Sequence, residues 1–261
     1  MKTKTNRFLT GIRAGEGQIG FWLSLASAYS AEVIAAAPFD WLVVDLEHTP
    51  GDMQTVLGQL QAVAPYQATA IVRTPANDPV LVKRLLDLGP EGILFPMIQS
   101  PQEAESAVSA TRYPPHGIRG VAGNARANRF GRLSDYYERI EAETAVIVQI
   151  ETCHALDQAL EIGTVAGVDG VFFGPADISA DMGLLGQPLH PDVWDRIWPA
   201  AESLIKAGVP VGTLVTDPVM AADLLQKGFA FVACGTDVGT LARATDNLLA
   251  QVRQAIDKDE E

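Results

Sequence analysis

Two carboxylates stand directly behind strongly apolar segments of the sequence. Glu151 ends the run AVIVQIE, and Asp177 ends the run GVFFGPAD. Two carboxylates, completed by waters and substrate oxygens, are hard ligands of the kind that Mg²⁺ and Mn²⁺ prefer. The pair therefore predicts a divalent-metal site if the two segments are neighbouring strands. The alternative is an Asp177 that caps a helix and a Glu151 that makes an ordinary salt bridge.

A second group of candidates follows the run DWLVVD, where Asp45 and His48 are three residues apart. A carboxylate beside an imidazole fixes the tautomer of the ring and raises its basicity, as acid–base catalysis near neutral pH requires. We therefore expect His48 to be the acid–base residue and Asp45 its partner. The competing interpretation is a histidine that only stabilises a loop, which is the commoner role of a single histidine.

Arg73 stands near the end of the run TAIVRT, just before a proline. Its planar guanidinium is suited to holding an anionic oxygen. The alternative role for this side chain is a buried salt bridge with Asp45 or Glu47.

Further along, the sequence enters a helix-like turn whose free N–H groups are suited to a small carboxylate or phosphate. The residues of that turn are Gly174, Pro175, Ala176 and Asp177.

The placement of the lysines separates two kinds of carbonyl chemistry. None of them follows one of the apolar runs: they are Lys2, Lys4, Lys83, Lys206, Lys227 and Lys258. A Schiff-base enzyme needs a lysine inside its site. We therefore expect carbonyl chemistry in this chain to use a metal ion as the electron sink.

Eight apolar segments must position these residues, and nearly continuous apolar strands of this kind suit a parallel sheet covered by helices. The predicted strands are 18–25, 40–48, 69–74, 92–98, 145–151, 170–177, 209–215 and 229–237. Helix-like stretches separate them, and several end in glycine, a common helix stop.

Eight strands alternating with helices in 261 residues predict an α/β fold, a (β/α)8 TIM barrel that spans 1–261 as a single domain. An open, doubly wound sheet is the structural alternative. Catalytic groups of such barrels lie at the carboxyl ends of the strands, which is where the candidates above stand. The link 113–143 is unusually long, and links of that length are often functional.

The composition excludes several classes of protein. Hydrophobic residues make up 48% of the chain and charged residues 20%, as in ordinary globular proteins. The apolar runs are too short to span a membrane, and a net charge of −13 argues against nucleic acid as a partner. Two cysteines make no disulfide framework, and the first residues lack a secretory signal. We expect a cytoplasmic protein that acts on a small molecule.

Several stretches resemble the HpcH/HpaI aldolase family over nearly the whole chain. They are FDWLVVDLEH, QAVAPY, IVRT, LLDLG, RYPPHGIRG, VQIET and GVDGVFFGPADISADMG. The resemblance implies a class II, metal-dependent aldolase that uses Mg²⁺ or Mn²⁺, with Co²⁺ also suitable. Such an enzyme adds the enolate of pyruvate or hydroxypyruvate reversibly to an aldehyde, giving a 4-hydroxy-2-oxoacid. It further implies homo-oligomers, namely hexamers built as trimers of dimers that exchange the last helix.

The resemblance also implies a role for each matching position. Glu151 and Asp177 match the metal ligands, and His48 matches the acid–base residue with Asp45 as its orienting partner. Arg73 matches the arginine that contacts the keto oxygen of the donor. The other positions that the resemblance places around the substrate are Gln149, Gly174, Pro175, Ala176, Trp22 and Leu214.

The chain departs from the family pattern at Leu46, where glycine is common, although Asp45 and His48 stay in register. This change leaves the reaction type in place and the acceptor preference open. The role of the Arg-rich link 119–132 is open as well. Two other functions remain as alternatives. One is a lyase acting on CoA thioesters, and the other is a non-catalytic barrel that binds an anionic metabolite.

Overall fold

The computed structural model describes residues 1–258 of the chain. Its strands are β1 (Gln18–Leu23), β2 (Trp41–Asp45), β3 (Thr69–Arg73), β4 (Gly92–Phe95), β5 (Ala145–Ile150), β6 (Gly170–Phe173), β7 (Val211–Leu214) and β8 (Phe231–Thr236). They form one closed barrel in which each strand pairs in parallel with the next and β8 pairs with β1. The predicted (β/α)8 barrel is confirmed and the open doubly wound sheet is excluded. Residues 259–261 of the predicted domain lie outside the described residues.

The helices surround this barrel. They are α1 (Arg7–Arg13), α2 (Ala28–Ala35), α3 (Met53–Val63), α4 (Pro79–Leu88), α5 (Pro101–Thr111), α6 (Tyr136–Glu143), α7 (Cys153–Leu156), α8 (Ala159–Gly163), α9 (Pro175–Asp181), α10 (Pro191–Lys206), α11 (Pro218–Gln226) and α12 (Asp237–Lys258). In the described part of the chain, none of them combines the length and the apolar character needed to cross a bilayer.

Side chains of the strands alternate between the barrel interior and the surrounding helices, as the two-residue period of a strand requires. On β2, Trp41 and Val43 join the interior cluster, whereas Leu42 and Val44 pack in the outer cluster beneath the helices. One further step of the same period turns Asp45 inward at the carboxyl end of the strand. The alternation that buries the apolar side chains of β2 therefore also places a charged side chain at the barrel mouth.

The sequence analysis did not predict α1, which closes the amino-terminal end of the barrel. The Asn6 side chain caps this helix by accepting a hydrogen bond from the Leu9 N–H at 3.1 Å. Phe8, Leu9 and Ile12 are buried in the interior cluster, and the Phe8 ring meets the Phe231 ring edge-on at 5.3 Å. The sequence feature that could have predicted α1 was a polar capping residue followed by these apolar positions.

Two predicted helices and the predicted strand ends need correction. The helix-like stretch between the fifth and sixth predicted strands is not one helix but the two short helices α7 and α8. Between them Gln158 leaves helical geometry, and its side chain donates to the Gln99 carbonyl at 3.2 Å. The last helix begins at Asp237, which the sequence analysis had placed in a strand. Strand β4 ends at Phe95 and not at residue 98, since Pro96 has no N–H for the ladder.

The long link between α5 and β5 packs outside the barrel. Arg119 is buried, pairs with Asp87 at the end of α4 at 3.1 Å and lies over the Tyr113 ring at 4.5 Å. Arg126 donates to the Leu88 carbonyl. These two arginines hold the link against the amino-terminal half of the barrel, away from the cavity described next.

Candidate functional site

A cavity of about 630 Å³ opens at the carboxyl ends of the strands. It brings together nearly all of the residues that the sequence analysis selected. Those lining it are Trp22, His48, Arg73, Gln149, Gly174, Pro175, Ala176, Asp177 and Leu214. Asp45 and Glu151 lie beside this lining, and each is hydrogen-bonded to one of its members.

Arg73 is held by two carboxylates at the floor of the cavity. Its Nε and Nη2 each lie 2.8 Å from an oxygen of Asp45, and its Nη1 lies 2.8 Å from Oε2 of Glu47. The register of β2 and β3 sets this geometry, because Asp45 and Arg73 are direct partners across the two strands. The guanidinium also lies 5.2 Å from the centre of the Trp22 ring. Arg73 therefore forms the buried salt bridge considered for it and still lines the cavity.

The predicted pairing of Asp45 with His48 is wrong. Both oxygens of Asp45 bind Arg73, and one of them also accepts the Glu47 N–H at 3.0 Å. The His48 side chain is 66% exposed, and its Nε2 lies 3.8 Å from Oε2 of Glu47. The physical reason is that Asp45 ends β2 directly opposite Arg73 of β3, whereas His48 lies in the bend that follows the strand. Glu47, which the sequence analysis considered only as a partner of Arg73, is thus the carboxylate beside this histidine.

Glu151 is a buried carboxylate that faces the cavity across a glycine. Only 1% of the residue is exposed, and its two oxygens accept from the Met97 N–H at 2.7 Å and from Nε2 of Gln149 at 2.6 Å. A Cβ built on Gly174 would lie 2.9 Å from Oε1 of Glu151 and 2.8 Å from its Cγ. Any larger residue at position 174 would therefore collide with the carboxylate.

Burial and like charge dominate the electrostatics of this mouth. Burial, followed by the neighbouring carboxylates of Glu47 and Asp177, raises the pKa of Glu151 to about 8, although the Met97 N–H opposes this. Burial also raises the pKa of Glu47 above its ordinary value, against the attraction of Arg73. Burial acts to lower the pKa of Arg73, but its bonds to Asp45 and the nearby negative charges raise it overall.

The donor set suits a divalent cation. The Asp177 carboxylate is close enough to Glu151 to disfavour the charge of Glu151, and a bound cation would remove that cost. Oε1 of Gln149 is buried beside Glu151, and no described residue gives it a hydrogen bond. Among residues 1–258, no group of three or more His, Cys, Asp and Glu side chains is arranged to hold a metal. Two protein carboxylates would leave the other positions to water and substrate, an arrangement that Mg²⁺ accepts.

Part of the cavity wall was not predicted. The loop between α9 and α10 and the end of β7 contribute Gly186, Gln187, Pro188, Leu189, His190, Val215 and Thr216, and the barrel interior contributes Phe172. The loop has no apolar periodicity from which its position could be read. Gly186 has a φ of 78°, a left-handed conformation that favours glycine. This glycine was the local sequence feature that could have indicated a turn in the loop.

Fold and site together define a (β/α)8-barrel protein whose mouth carries the buried carboxylates of Asp45 and Glu151 and the exposed carboxylate of Asp177 around a cavity for a small molecule. The chain belongs to the HpcH/HpaI aldolase/citrate lyase family, whose model matches residues 18–244. The resemblance drawn from the sequence motifs is thereby confirmed.

Individual relatives are similar over almost their full lengths. A protein of Rhizobium etli named pyruvate aldolase is 48% identical over 251 residues, which cover 96% of this chain and 99% of that protein. A protein of Shigella sonnei named 4-hydroxy-2-oxo-heptane-1,7-dioate aldolase is 50% identical over 247 residues, 94% of each chain. The crystal structure of an HpcH/HpaI aldolase/citrate lyase family protein from Burkholderia cenocepacia superposes with a TM-score of 0.91 at 41% identity, covering 95% of this chain and all of that one.

Proposed function

We propose that the protein is a divalent-metal-dependent class II aldolase, an aldehyde-lyase. It joins pyruvate or hydroxypyruvate reversibly to an aldehyde and forms a 4-hydroxy-2-oxoacid. The observation that carries the proposal is the buried Glu151 carboxylate beside Asp177, next to Arg73, in the mouth of a barrel of this family. The aldolase names of relatives near 50% identity support the reaction type.

Glu151 and Asp177 would hold the cation, with Mg²⁺ or Mn²⁺ as the fitting ions and Co²⁺ as a third. Lewis-acid stabilisation of negative charge at the 2-oxo group is the chemistry that such a cation supplies when bound. The Gln149 amide keeps the Glu151 carboxylate in place through its 2.6 Å hydrogen bond. Gly174 leaves room for that carboxylate, since a Cβ at this position would lie 2.9 Å from its Oε1.

The 2-oxoacid donor is bound by the first turn of α9 and by Arg73. No side chain caps α9 at Gly174, so the N–H groups of Ala176 and Asp177 are free to donate to the donor carboxylate. Arg73 lines the cavity as a fixed cation and shares the negative charge that develops on the 2-oxo oxygen. Trp22 and Leu214 form walls beside the donor.

His48 moves the proton at the acceptor end. In the cleavage direction its imidazole takes the proton of the 4-hydroxyl, the C3–C4 bond breaks, and the electron pair remains on the donor as its enolate. The aldehyde leaves, and a proton returned to C3 regenerates the 2-oxoacid. Glu47, with Oε2 at 3.8 Å from Nε2 of His48, stabilises the protonated ring in place of Asp45.

The family resemblance also leads us to propose a hexamer, a trimer of dimers that exchange α12. In support, this helix exposes a row of large apolar side chains that a partner subunit would cover. They are Val238, Leu241, Leu248, Leu249, Val252 and Ile256. Light scattering of the purified protein tests this assembly.

The aldolase reaction is tested without a choice of aldehyde, by NMR of proton exchange at C3 of pyruvate in deuterated water. We expect exchange that disappears with EDTA and returns with Mg²⁺ or Mn²⁺. Absence of exchange with both pyruvate and hydroxypyruvate would contradict the proposal. The thioester lyase and the non-catalytic metabolite-binding barrel would then be the functions to test.

A further inference from the structure

We propose that Met97 is a positioning residue of the metal site and that it acts through its main-chain N–H. This N–H donates to Oε2 of Glu151 at 2.7 Å, and it keeps the carboxylate in place for the cation. The role rests on the proposed function, because Glu151 is assigned as a ligand of the cation there. Three features support it: the backbone conformation of Met97, the second donor to Glu151 and the fastening of the loop that carries Met97.

The main chain of Met97 has a left-handed conformation that residues with a side chain rarely adopt. Its φ is 54°, and in the described part of the chain only three other non-glycine residues have a positive φ. Such a conformation is costly for an L-residue and persists where the surrounding structure imposes it. Burial of the side chain offsets little of this cost, because 47% of the residue is exposed. Within residues 1–258, the bond to Glu151 is the one hydrogen bond that the Met97 main chain makes. Holding that carboxylate is therefore what the left-handed conformation achieves.

Glu151 is held by one donor on each of its oxygens. The Met97 N–H donates to Oε2, and Nε2 of Gln149 donates to Oε1 at 2.6 Å. A carboxylate bonded at both oxygens cannot rotate without breaking one of these bonds. Each oxygen can still bind a cation, since a carboxylate oxygen has two lone pairs. N–H donors also favour the charged form of a carboxylate, which is the form that binds a metal ion.

The loop that carries Met97 is fastened to the segment that carries Glu151. The Ile98 N–H donates to the main-chain carbonyl of Gln149 at 3.1 Å, and Oε1 of Gln99 accepts from the Thr152 hydroxyl at 2.6 Å. The Ile98 side chain is buried in the outer cluster beneath the helices. These contacts fix the main chain after Met97, so its N–H cannot turn freely away from the carboxylate. Groups that orient a metal ligand in this way typically contribute about 10- to 100-fold to metal affinity.

The direct test replaces the Met97 N–H by an oxygen and keeps the side chain, by incorporation of the α-hydroxy acid analogue of methionine at position 97. The corresponding ester at position 98 is the matched control, because the Ile98 N–H donates to a main-chain carbonyl and not to a carboxylate. Each ester removes one hydrogen bond, so urea unfolding should show a similar loss of stability in both.

Metal affinity should separate the two esters. We expect Mn²⁺ affinity, measured by electron paramagnetic resonance, to fall by about tenfold or more with the ester at position 97. It should stay near the wild-type value with the ester at position 98. Unchanged affinity at position 97, or an equal loss at both positions, would overturn the role of Met97.

A measurement on the unaltered main chain covers the case in which an ester variant does not fold. The chain has five methionines, so selective ¹⁵N labelling gives few amide signals, and Met97→Leu identifies the signal of Met97. We expect that signal to move more than those of the other methionines on saturation with Mg²⁺. An equal or smaller shift would overturn the proposal. A wild-type chain that neither binds Mn²⁺ nor exchanges C3 protons of pyruvate would instead overturn the proposed function, and the role of Met97 with it.

Discussion

The amino-terminal end of the barrel is closed by α1, whereas the carboxyl end stays open. At the closed end Asn6 makes a full set of bonds: its side-chain oxygen accepts from Leu9, and its amide donates to the carbonyls of Glu91 and Glu143. At the open end Oε1 of Gln149 is buried without a partner, and the pKa of Glu151 is raised to about 8 by burial and then by neighbouring carboxylates. The side chain of Asn6 is thus fully bonded within the fold, whereas Gln149, which lines the cavity, has an oxygen that is not.

Volume alone would point to the wrong end. A cavity of about 1000 Å³ lies between the first residues, the ends of α3 and α4, and the long link, and it exceeds the 630 Å³ cavity at the mouth. Two of the four arginines that line it are engaged in the fold, because Arg119 pairs with Asp87 and Arg126 donates to the Leu88 carbonyl. The smaller cavity holds the convergent carboxylates, and convergence of chemistry identifies a site better than size does.

The largest expected effect is that of Arg73→Ala, which removes the cation of the mouth. Turnover should fall by about 1000-fold or more, since one fixed electrostatic contact to developing charge is lost. Because Asp45 and Glu47 are left buried without a partner, the free energy of unfolding should also fall by roughly 3–5 kcal/mol. Steady-state kinetics and urea unfolding measure both. Near-normal turnover would remove Arg73 from the reaction, and Arg84→Ala, at an exposed position of α4, is the control.

Glu151→Gln tests the metal site with little change of shape. We expect Mn²⁺ affinity to fall by at least about tenfold and C3 exchange to fall with it, since a charged ligand is replaced by an amide. Electron paramagnetic resonance of Mn²⁺ measures binding without any need for turnover. Unchanged Mn²⁺ affinity would contradict the assignment of Glu151 as a ligand.

Much of this architecture could be predicted because continuous apolar runs mark buried parallel strands. The choice between His48 and Arg73 as the partner of Asp45 could not be made from the sequence, because it depends on the register of β2 against β3, which spacing along the chain does not encode. Spacing placed His48 near Asp45, whereas β2 ends at Asp45 and both oxygens of that carboxylate bind Arg73. The wall residue Leu189 belongs to an aperiodic loop, so only the folded chain brings it to the cavity.

Phe8→Ala tests the closed end of the barrel, where we expect a lower free energy of unfolding without a loss of catalytic activity. Phe8 is fully buried between the rings of Trp41 and Phe231, at 5.7 and 5.3 Å. Deleting such a ring should cost roughly 3–5 kcal/mol of unfolding free energy. Metal affinity and kcat at a temperature where the variant is folded should stay near the wild-type values. Phe130→Ala, at an exposed ring, is the control.

His48→Gln should show the opposite pattern, with reduced turnover and a nearly unchanged free energy of unfolding. The side chain is mostly exposed, so unfolding should change by no more than about 0.5 kcal/mol. Turnover should fall by about 100-fold, the scale of a general acid–base contribution. His116→Gln is a close control, since that ring is equally exposed and has Glu141 at 2.9 Å. Full turnover in His48→Gln would assign the proton transfer to another group.

The smallest effect is expected for Glu91→Gln, which compares a carboxylate of the closed end with Glu151. Burial raises the pKa of Glu91 above its ordinary value of 4.5, against the Ala70 N–H and the charges of Lys4 and Arg7. The folded chain therefore holds this proton more tightly than the unfolded chain, so the contribution to stability is present in acid and is lost as pH rises above 4.5.

Glutamine cannot ionise, and its amide oxygen can still accept the Ala70 N–H. Relative to wild type, Glu91→Gln should therefore gain stability between acid and neutral pH, by no more than about 1 kcal/mol. Urea unfolding at several pH values measures this, with Glu105→Gln on the exposed face of α5 as control. A variant that lost stability as pH rose would show that the Glu91 charge is needed at the closed end. Proton exchange at C3 of pyruvate should be unchanged in Glu91→Gln. That result would show that Glu91 is not one of the catalytic carboxylates, which lie at the mouth of the barrel.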